Sequence, residues 1–138
     1  MSEHPIKILV ADDEDVVLEI MASKIASQDY EVITACDGQE AWEKIVSQDP
    51  DVIILDLIMP KMDGWAVLSR LRNDPPTKRW QPVIIISGQN ELESFQKGVD
   101  LEADHYLTKP CQIEDILKAI RLMLSLIPQR DTQKSCPP

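Results

Sequence analysis

The sequence predicts an α/β domain: one five-stranded parallel sheet, doubly wound, with helices on both faces. Three observations lead there. Apolar runs and helical patterns alternate five times along the chain. Two of the runs, 51–56 and 82–87, have unbroken Val, Ile and Leu centres, as strands buried on both faces of a parallel sheet require. The stretches between runs carry apolar residues at three- and four-residue spacing, so each crossover reads as a helix. Strand–helix alternation of this kind gives right-handed crossovers and a sheet covered on both sides.

The first strand is Ile6-Lys7-Ile8-Leu9-Val10-Ala11, ending on Asp12-Asp13. Val17, Ile20, Met21 and Ile25 then mark a helix, with Asp15 placed to cap it. A short strand over Glu31–Ala35 follows. Asp37-Gly38 turns the chain into a second helix that buries Ala41, Ile45 and Trp42. Pro50 ends that helix, and the third strand runs to Asp56. Met59-Pro60 and Asp63-Gly64 form the turn into a third helix, with Leu68 and Leu71 inward. Asn73-Asp74-Pro75-Pro76 stops it, and a loop leads to the fourth strand. A more polar helix is expected over 91–101, then a short strand from His105 to Thr108, ending at Lys109-Pro110. Ile113, Ile116, Leu117, Ile120, Met123, Leu124 and Ile127 form the apolar stripe of a fifth helix, stopped by Pro128.

The 138 residues suit one domain over 5–127, with a polar tail or linker stub, expected to be disordered, over 128–138. Hydrophobic residues make up 43 % and aromatics only 4 %, so the core must be aliphatic. Acidic residues outnumber basic ones by 24 to 14, for a net charge of −10. Such a chain repels phosphate backbones, which argues against direct nucleic-acid binding by this domain. Cys36, Cys111 and Cys136 show neither C-x-x-C nor metal spacing, and read as reduced thiols. No apolar run approaches the roughly 18 residues a membrane helix needs, and the N-terminus lacks signal-peptide character. The expected location is cytoplasmic.

In folds of this class, sites form at the carboxyl ends of the strands. Here those ends are Asp12-Asp13, Asp56, Ser87 and Lys109. Singly, each has an ordinary explanation: a cap, a turn or a solvated charge. Gathered at one edge, they place three carboxylates, a hydroxyl and an ammonium in one basin. Crowded carboxylates repel, and a divalent cation relieves that. Ligands that are all oxygen select a hard ion such as Mg²⁺. A carboxylate in such a basin can act as a nucleophile toward phosphorus, while the protein supplies position and charge neutralisation.

These residues, with Leu55-Asp56-Leu57-Ile58-Met59-Pro60-Lys61-Met62-Asp63-Gly64, Ser87-Gly88 and Tyr106-Leu107-Thr108-Lys109-Pro110, resemble the receiver domains of two-component response regulators. The resemblance spans about residues 5 to 127, and four motifs in order at the right strand ends are specific. It implies a flavodoxin-like (βα)₅ fold with strand order 2-1-3-4-5, the order known for such receivers. It further implies that Asp56 is the phospho-acceptor, and that Asp13, Asp56 and the Ile58 backbone carbonyl ligate Mg²⁺, with Asp12 acting through a metal-bound water. Lys109 and the Gly88 N–H would meet the phosphoryl group. Ser87 would turn toward it, and Tyr106 would be the aromatic switch. The Lys109-Pro110 bond would be cis, making Pro110 a cis-proline. Two positions depart from the common pattern: Glu102 stands where many members have Gly, and Ile58 is apolar where several are polar.

The implied partner is a sensor histidine kinase or a histidine phosphotransfer protein, because the chain carries no ATP-binding loop of its own. The downstream target is open, as is a phosphorylation-linked homodimer. Phosphorylation would alter the surface of the fourth helix, fifth strand and fifth helix. The domain would catalyse its own phosphorylation and slow dephosphorylation, without acting as an enzyme on a separate substrate. Two rivals have arguments against them. A Mg²⁺-dependent aspartyl-phosphate phosphohydrolase would usually carry a second Asp at position 58, where this chain has Ile. A degenerate receiver acting only as a binding module would not need all five polar residues. The short stretch after the fifth helix fits either a stand-alone adaptor or a receiver cut from a longer regulator.

Overall fold

The computed structural model describes residues 5–88 and 103–126. The helix expected over 91–101, together with Gln89, Glu102, Ile127 and the tail, lies outside the described residues. The elements are β1 (Lys7–Ala11), α1 (Asp15–Ala26), β2 (Glu31–Ala35), α2 (Gly38–Gln48), β3 (Val52–Asp56), α3 (Gly64–Asn73), β4 (Val83–Gly88), β5 (His105–Lys109) and a C-terminal helix here labelled α4 (Ile113–Leu126). The strands form one parallel sheet in the order β2-β1-β3-β4-β5. This is the flavodoxin-like architecture and the strand order that the resemblance implied.

The two-residue period of each strand divides the core into two layers. Leu9, Ala11, Ile53, Leu55, Val83 and Ile85 face α2 and α3, against Ala41, Trp42, Ile45, Val67, Leu68 and Leu71. Ile8, Val10, Val52, Ile54, Ile84 and Ile86 face α1 and α4, against Leu18, Met21, Ile25, Ile116, Ile120 and Met123. All five residues of β3 are buried, because this central strand has a layer on each face. Each fully buried Ile or Leu contributes about 1.5–3 kcal/mol, so these layers supply the main driving force.

Two details of α1 differ from expectation. Asp15 does not cap the helix. The cap position is Glu14, whose side chain makes no capping bond, and Asp15 is the first helical residue. The chain enters through a turn in which Asp12 Oδ1 accepts the Glu14 N–H at 2.9 Å, so the preceding aspartate does the local work. Asp15 still favours the helix as a negative charge in its first turn. Ile20 is 55 % exposed, whereas Leu18 is buried. Leu18, Met21 and Ile25 form the inward stripe, and Ile20 lies about 100° round the helix from Met21.

The second and third helices start as the Asp-Gly pairs predicted. Asp37 Oδ1 accepts the Glu40 N–H at 2.8 Å, and Asp63 Oδ1 accepts the Ala66 N–H at 2.9 Å. Glu40 reaches back to the Cys36 N–H at 2.8 Å and pairs with Lys44 at 2.9 Å. The backbone bond first, and Lys44 second, bring its carboxyl from an ordinary 4.5 to about 2. A carboxyl lowered on folding stabilises the fold above its unfolded value and loses that contribution as pH falls through the folded one. The side chain is 35 % exposed, so solvent screening reduces the contribution to about 1 kcal/mol. Glu40→Ala is therefore expected to lower urea stability by about 1 kcal/mol at pH 7 and by less than half of that at pH 3. An equal loss at both pH values would remove the ionic explanation.

At the opposite edge of the sheet, Asp104 ties the entry of β5 to its surroundings. It accepts from Val83 N, Arg72 and Trp80 Nε1, each at 2.9 Å. The Arg72 guanidinium also stacks 3.7 Å from the Trp80 ring centre. Trp65 packs half-buried against the α2–α3 layer. Both tryptophans thus have packing roles.

Candidate functional site

The sheet order decides which strand ends meet. β1 and β3 are neighbours, and β4 follows β3, so Asp12-Asp13, Asp56 and Ser87 come together at one edge. Asp12 is buried because its N–H is held by the Ala35 carbonyl at 3.1 Å, beyond the paired part of β1. Asp13, one residue on, is exposed. Asp56 pairs in register with Ile86 and is 6 % exposed. Ser87 is the next residue of β4 and is buried, while Gly88 is partly exposed. Oxygens of Asp12, Asp13 and Asp56 all lie within 4.8 Å of one another.

Lys109 reaches this cluster from the end of β5, which is two strands away from β3. Its Nζ is 2.9 Å from Asp56 Oδ2 and 3.6 Å from Asp12 Oδ2. The Lys109-Pro110 bond is cis. Burial pushes the Asp56 carboxyl up, Lys109 pulls it down, and the charge of Asp12 raises it again; the net direction is upward. Burial acts to lower the Lys109 ammonium, but the bond to Asp56 and the charges of Asp56, Asp12 and Glu14 outweigh it, so its proton is held more firmly. Among the described residues, one ammonium thus faces three carboxylates.

That imbalance tests whether a divalent ion fits. The donors are all oxygen, they converge within one ion's reach, and one cation leaves two negative charges uncompensated. A hard divalent ion matches this set. A second group, Cys36, Asp37 and Glu40, also converges. It is already engaged: Asp37 caps α2 and pairs with Lys61 at 3.6 Å, and Glu40 serves Cys36 and Lys44. Those carboxylates are a helix start.

The remaining predicted residues fall around the basin. The Ile58 N–H points to Asp56 Oδ1 at 3.4 Å, and its side chain is 56 % exposed beside the acceptor. Tyr106 lies on β5 opposite Ile85 and is 41 % exposed, so its ring is at the surface. Burial, and then the charge of Asp104, raise its hydroxyl. Sequence reasoning missed an open groove of about 480 Å³ between α1 and the start of α4, lined by Val17, Ile20, Met21, Ile86, Ile113 and Ile116, with Asp12 and Lys109 at its rim. The exposed Ile20 was the available signal, hidden because periodicity alone placed it inward. Among the described residues no helix is long and apolar enough to cross a membrane.

Residues 8–121 match the family model described as "Response regulator receiver domain". The chain is 35 % identical over 118 residues to the alkaline phosphatase synthesis transcriptional regulatory protein PhoP of Bacillus subtilis, covering 86 % of this chain and 48 % of that protein. It is also 35 % identical over 118 residues to the DNA-binding dual master transcriptional regulator RpaA of Synechocystis, again covering 86 % of this chain and 48 % of the relative. The chain thus spans about half the length of these curated relatives. Among solved structures, the chemotaxis response regulator CheY4 of Vibrio cholerae superposes with a TM-score of 0.79 at 30 % identity, covering 88 % of this chain and 100 % of that one. The Francisella response regulator 1452 receiver domain gives 0.78 at 32 %, covering 89 % and 98 %.

Proposed function

Because the chain belongs to the family of response regulator receiver domains, we propose that it accepts a phosphoryl group on Asp56 from a phosphohistidine on a partner kinase or phosphotransfer protein. The observation that carries this is the convergence of Asp12, Asp13, Asp56 and Lys109 at one sheet edge. An Asp56 carboxylate oxygen attacks phosphorus, a P–O bond forms and the donor's P–N bond breaks. The imidazole leaves with the electron pair and takes up a proton from solvent. Lys109, already on Asp56, pairs with a phosphoryl oxygen as a fixed positive charge. Mg²⁺ held by Asp13, Asp56 and the Ile58 carbonyl, with Asp12 assisting through water, would supply the neutralising charge that brings two anions together. The Gly88 N–H and the Ser87 hydroxyl would donate to the incoming oxygens.

The product carries a new dianion beside Ser87, and this is the proposed signal. Ser87 turning toward it vacates space behind β4, into which the exposed Tyr106 ring can move, changing the face of β5 and α4. The domain signals and is not a classical enzyme; the autodephosphorylation proposed for it is a property of its own phosphate. Half-length coverage of the relatives is compatible with an attached output domain, and phosphorylation-linked dimerisation is a further reading of the same switched face. The test is incubation with a phosphohistidine donor protein and Mg²⁺, followed by mass spectrometry and amide chemical shifts. One phosphate is expected, with shifts along β5. Ser87→Ala should take up phosphate yet show less than about half of those shifts, since Mg²⁺ and Lys109 remain. Full native-like shifts in Ser87→Ala would break the proposed coupling.

Phosphate lifetime depends on Ile58. Hydrolysis needs a water in line behind phosphorus, opposite Asp56. The exposed Ile58 side chain stands beside the acceptor, where it can cover the phosphoryl group but cannot orient a water. Ile58→Asn is expected to speed phosphate loss about tenfold, equivalent to about 1.4 kcal/mol of barrier. The rate is read in excess Mg²⁺ without any partner. An unchanged or slower rate means residue 58 does not gate the water.

A further inference from the structure

Resting on that reading of the acidic basin, we propose that Gly38, at the start of α2, is a positioning residue for the basin, because its bare Cα is the seat of the β3–α3 loop. No glycine among the described residues has a positive φ. Gly38 is therefore not demanded by its own backbone, and the demand comes from a neighbour. A Cβ at Gly38 would overlap the Met62 carbonyl oxygen outright, and would sit 2.5 Å from that carbonyl carbon and 2.8 Å from Met62 Cβ. The obstruction is main chain, so it cannot rotate away.

The loop pressed onto Gly38 is the one that carries Ile58, and little in it can yield. Its ends are closed by Gly64 N–H donating to the Leu57 carbonyl at 2.8 Å, and Met62 N–H donates to the Pro60 carbonyl at 2.7 Å. Gly64 is tight for the same reason: a Cβ there would meet the Asp56 carbonyl oxygen at 2.6 Å. Lys61 is held at φ 71°, and its ammonium lies 3.6 Å from Asp37, the residue before Gly38. Leu57 and Met59 are buried in the α2–α3 layer, with Met62 packed against it. Pushing Met62 away from α2 therefore moves a closed ring, and the displacement is delivered to Ile58, whose N–H meets Asp56 Oδ1 and whose carbonyl is the proposed metal ligand. Gly38 touches none of the reacting atoms. It acts through Met62, much as a supporting residue behind a metal ligand does.

Alanine is the better helix former, so without this contact Gly38→Ala would strengthen α2. The seat predicts the reverse. Titration calorimetry with MgCl₂ compares the native protein, Gly38→Ala and Ile45→Val, the last a packing change on the same helix away from the loop. Gly38→Ala is expected to raise the Mg²⁺ Kd about tenfold or more, the scale seen when support behind a ligand is lost. Labelling by an acyl phosphate should slow alongside. Ile45→Val should keep the native Kd within about twofold while losing stability. Adding Met62→Ala to Gly38→Ala should not restore binding, since the overlap is with backbone atoms. A native Kd in folded Gly38→Ala overturns the seat. Failure of the native protein itself to bind Mg²⁺ overturns the acidic-basin reading instead. Should Gly38→Ala not fold, the native protein decides: the Gly38 amide should shift with the same Mg²⁺ midpoint as Ile58 and more than Ile45, and a stationary Gly38 amide overturns the proposal.

Discussion

Asp56→Asn is expected to abolish phosphorylation while leaving the fold intact. Asparagine matches aspartate in shape and occupies the same place at the end of β3, but its neutral amide oxygen is a poor nucleophile toward phosphorus. The change also removes a buried negative charge from a basin shared with Asp12 and Asp13. Their mutual repulsion falls, offsetting the lost pairing with Lys109. Native protein with an acyl phosphate and Mg²⁺ should gain one phosphate, in a linkage stable to acid and labile to base. Asp56→Asn should gain none above background, with a melting temperature no lower than native. Labelling of Asp56→Asn at unchanged stoichiometry would sink the acceptor assignment, and loss of labelling with loss of fold would leave Asp56 no better than a core residue.

The second large effect concerns the metal. A ligand that binds only the folded state stabilises it by about 2.7 kcal/mol at a hundredfold excess over its Kd. For a domain of this size that raises the melting temperature by roughly 5–15 °C. Asp13 is the exposed member of the acidic group, so Asp13→Asn removes a ligand without opening the core. In Mg²⁺-free buffer the variant should melt at or slightly above the native temperature, because one repulsive charge is gone. With saturating Mg²⁺ for the native chain, its rise should shrink by more than about half. Equal rises in both proteins would place the ion elsewhere.

Much of the fold was legible because parallel strands buried on both faces leave an unmistakable apolar run. Residues 51–56 and 82–87 could hardly be anything else, and the alternation of runs with helical patterns left one fold class. Burial on a helix was legible only to within one residue. Val17, Ile20, Met21 and Ile25 fit the 3.6 period as a set, yet Leu18 took the inward place of Ile20. Periodicity fixes an angular pattern and not its orientation toward a sheet that twists beneath the helix. The second acidic group was half legible: the Asp-Gly pair marked Asp37 as a helix start, whereas only the bond from the Cys36 N–H shows that Glu40 belongs to the same start.

The sequence by itself determined the chemical inventory of the basin: Asp12, Asp13, Asp56, Ser87 and Lys109, each read as the polar end of an apolar strand. It also determined, through motif order, the family to which they belong. Tertiary structure alone decided how these groups interact. Lys109 lies 53 residues from Asp56 along the chain and 2.9 Å from it in space, a contact set by the placing of β4 beside β3 and of β5 beside β4. The opposed effects of burial and Lys109 on the Asp56 carboxyl follow from that contact and from the closed layers around it. The need for Gly38 was equally invisible. A glycine after an aspartate reads as a turn, and its φ gives no reason for it. The reason is the Met62 carbonyl, brought against it from another crossover, because close packing between distant segments is a property of the assembled layers and leaves no mark on local sequence.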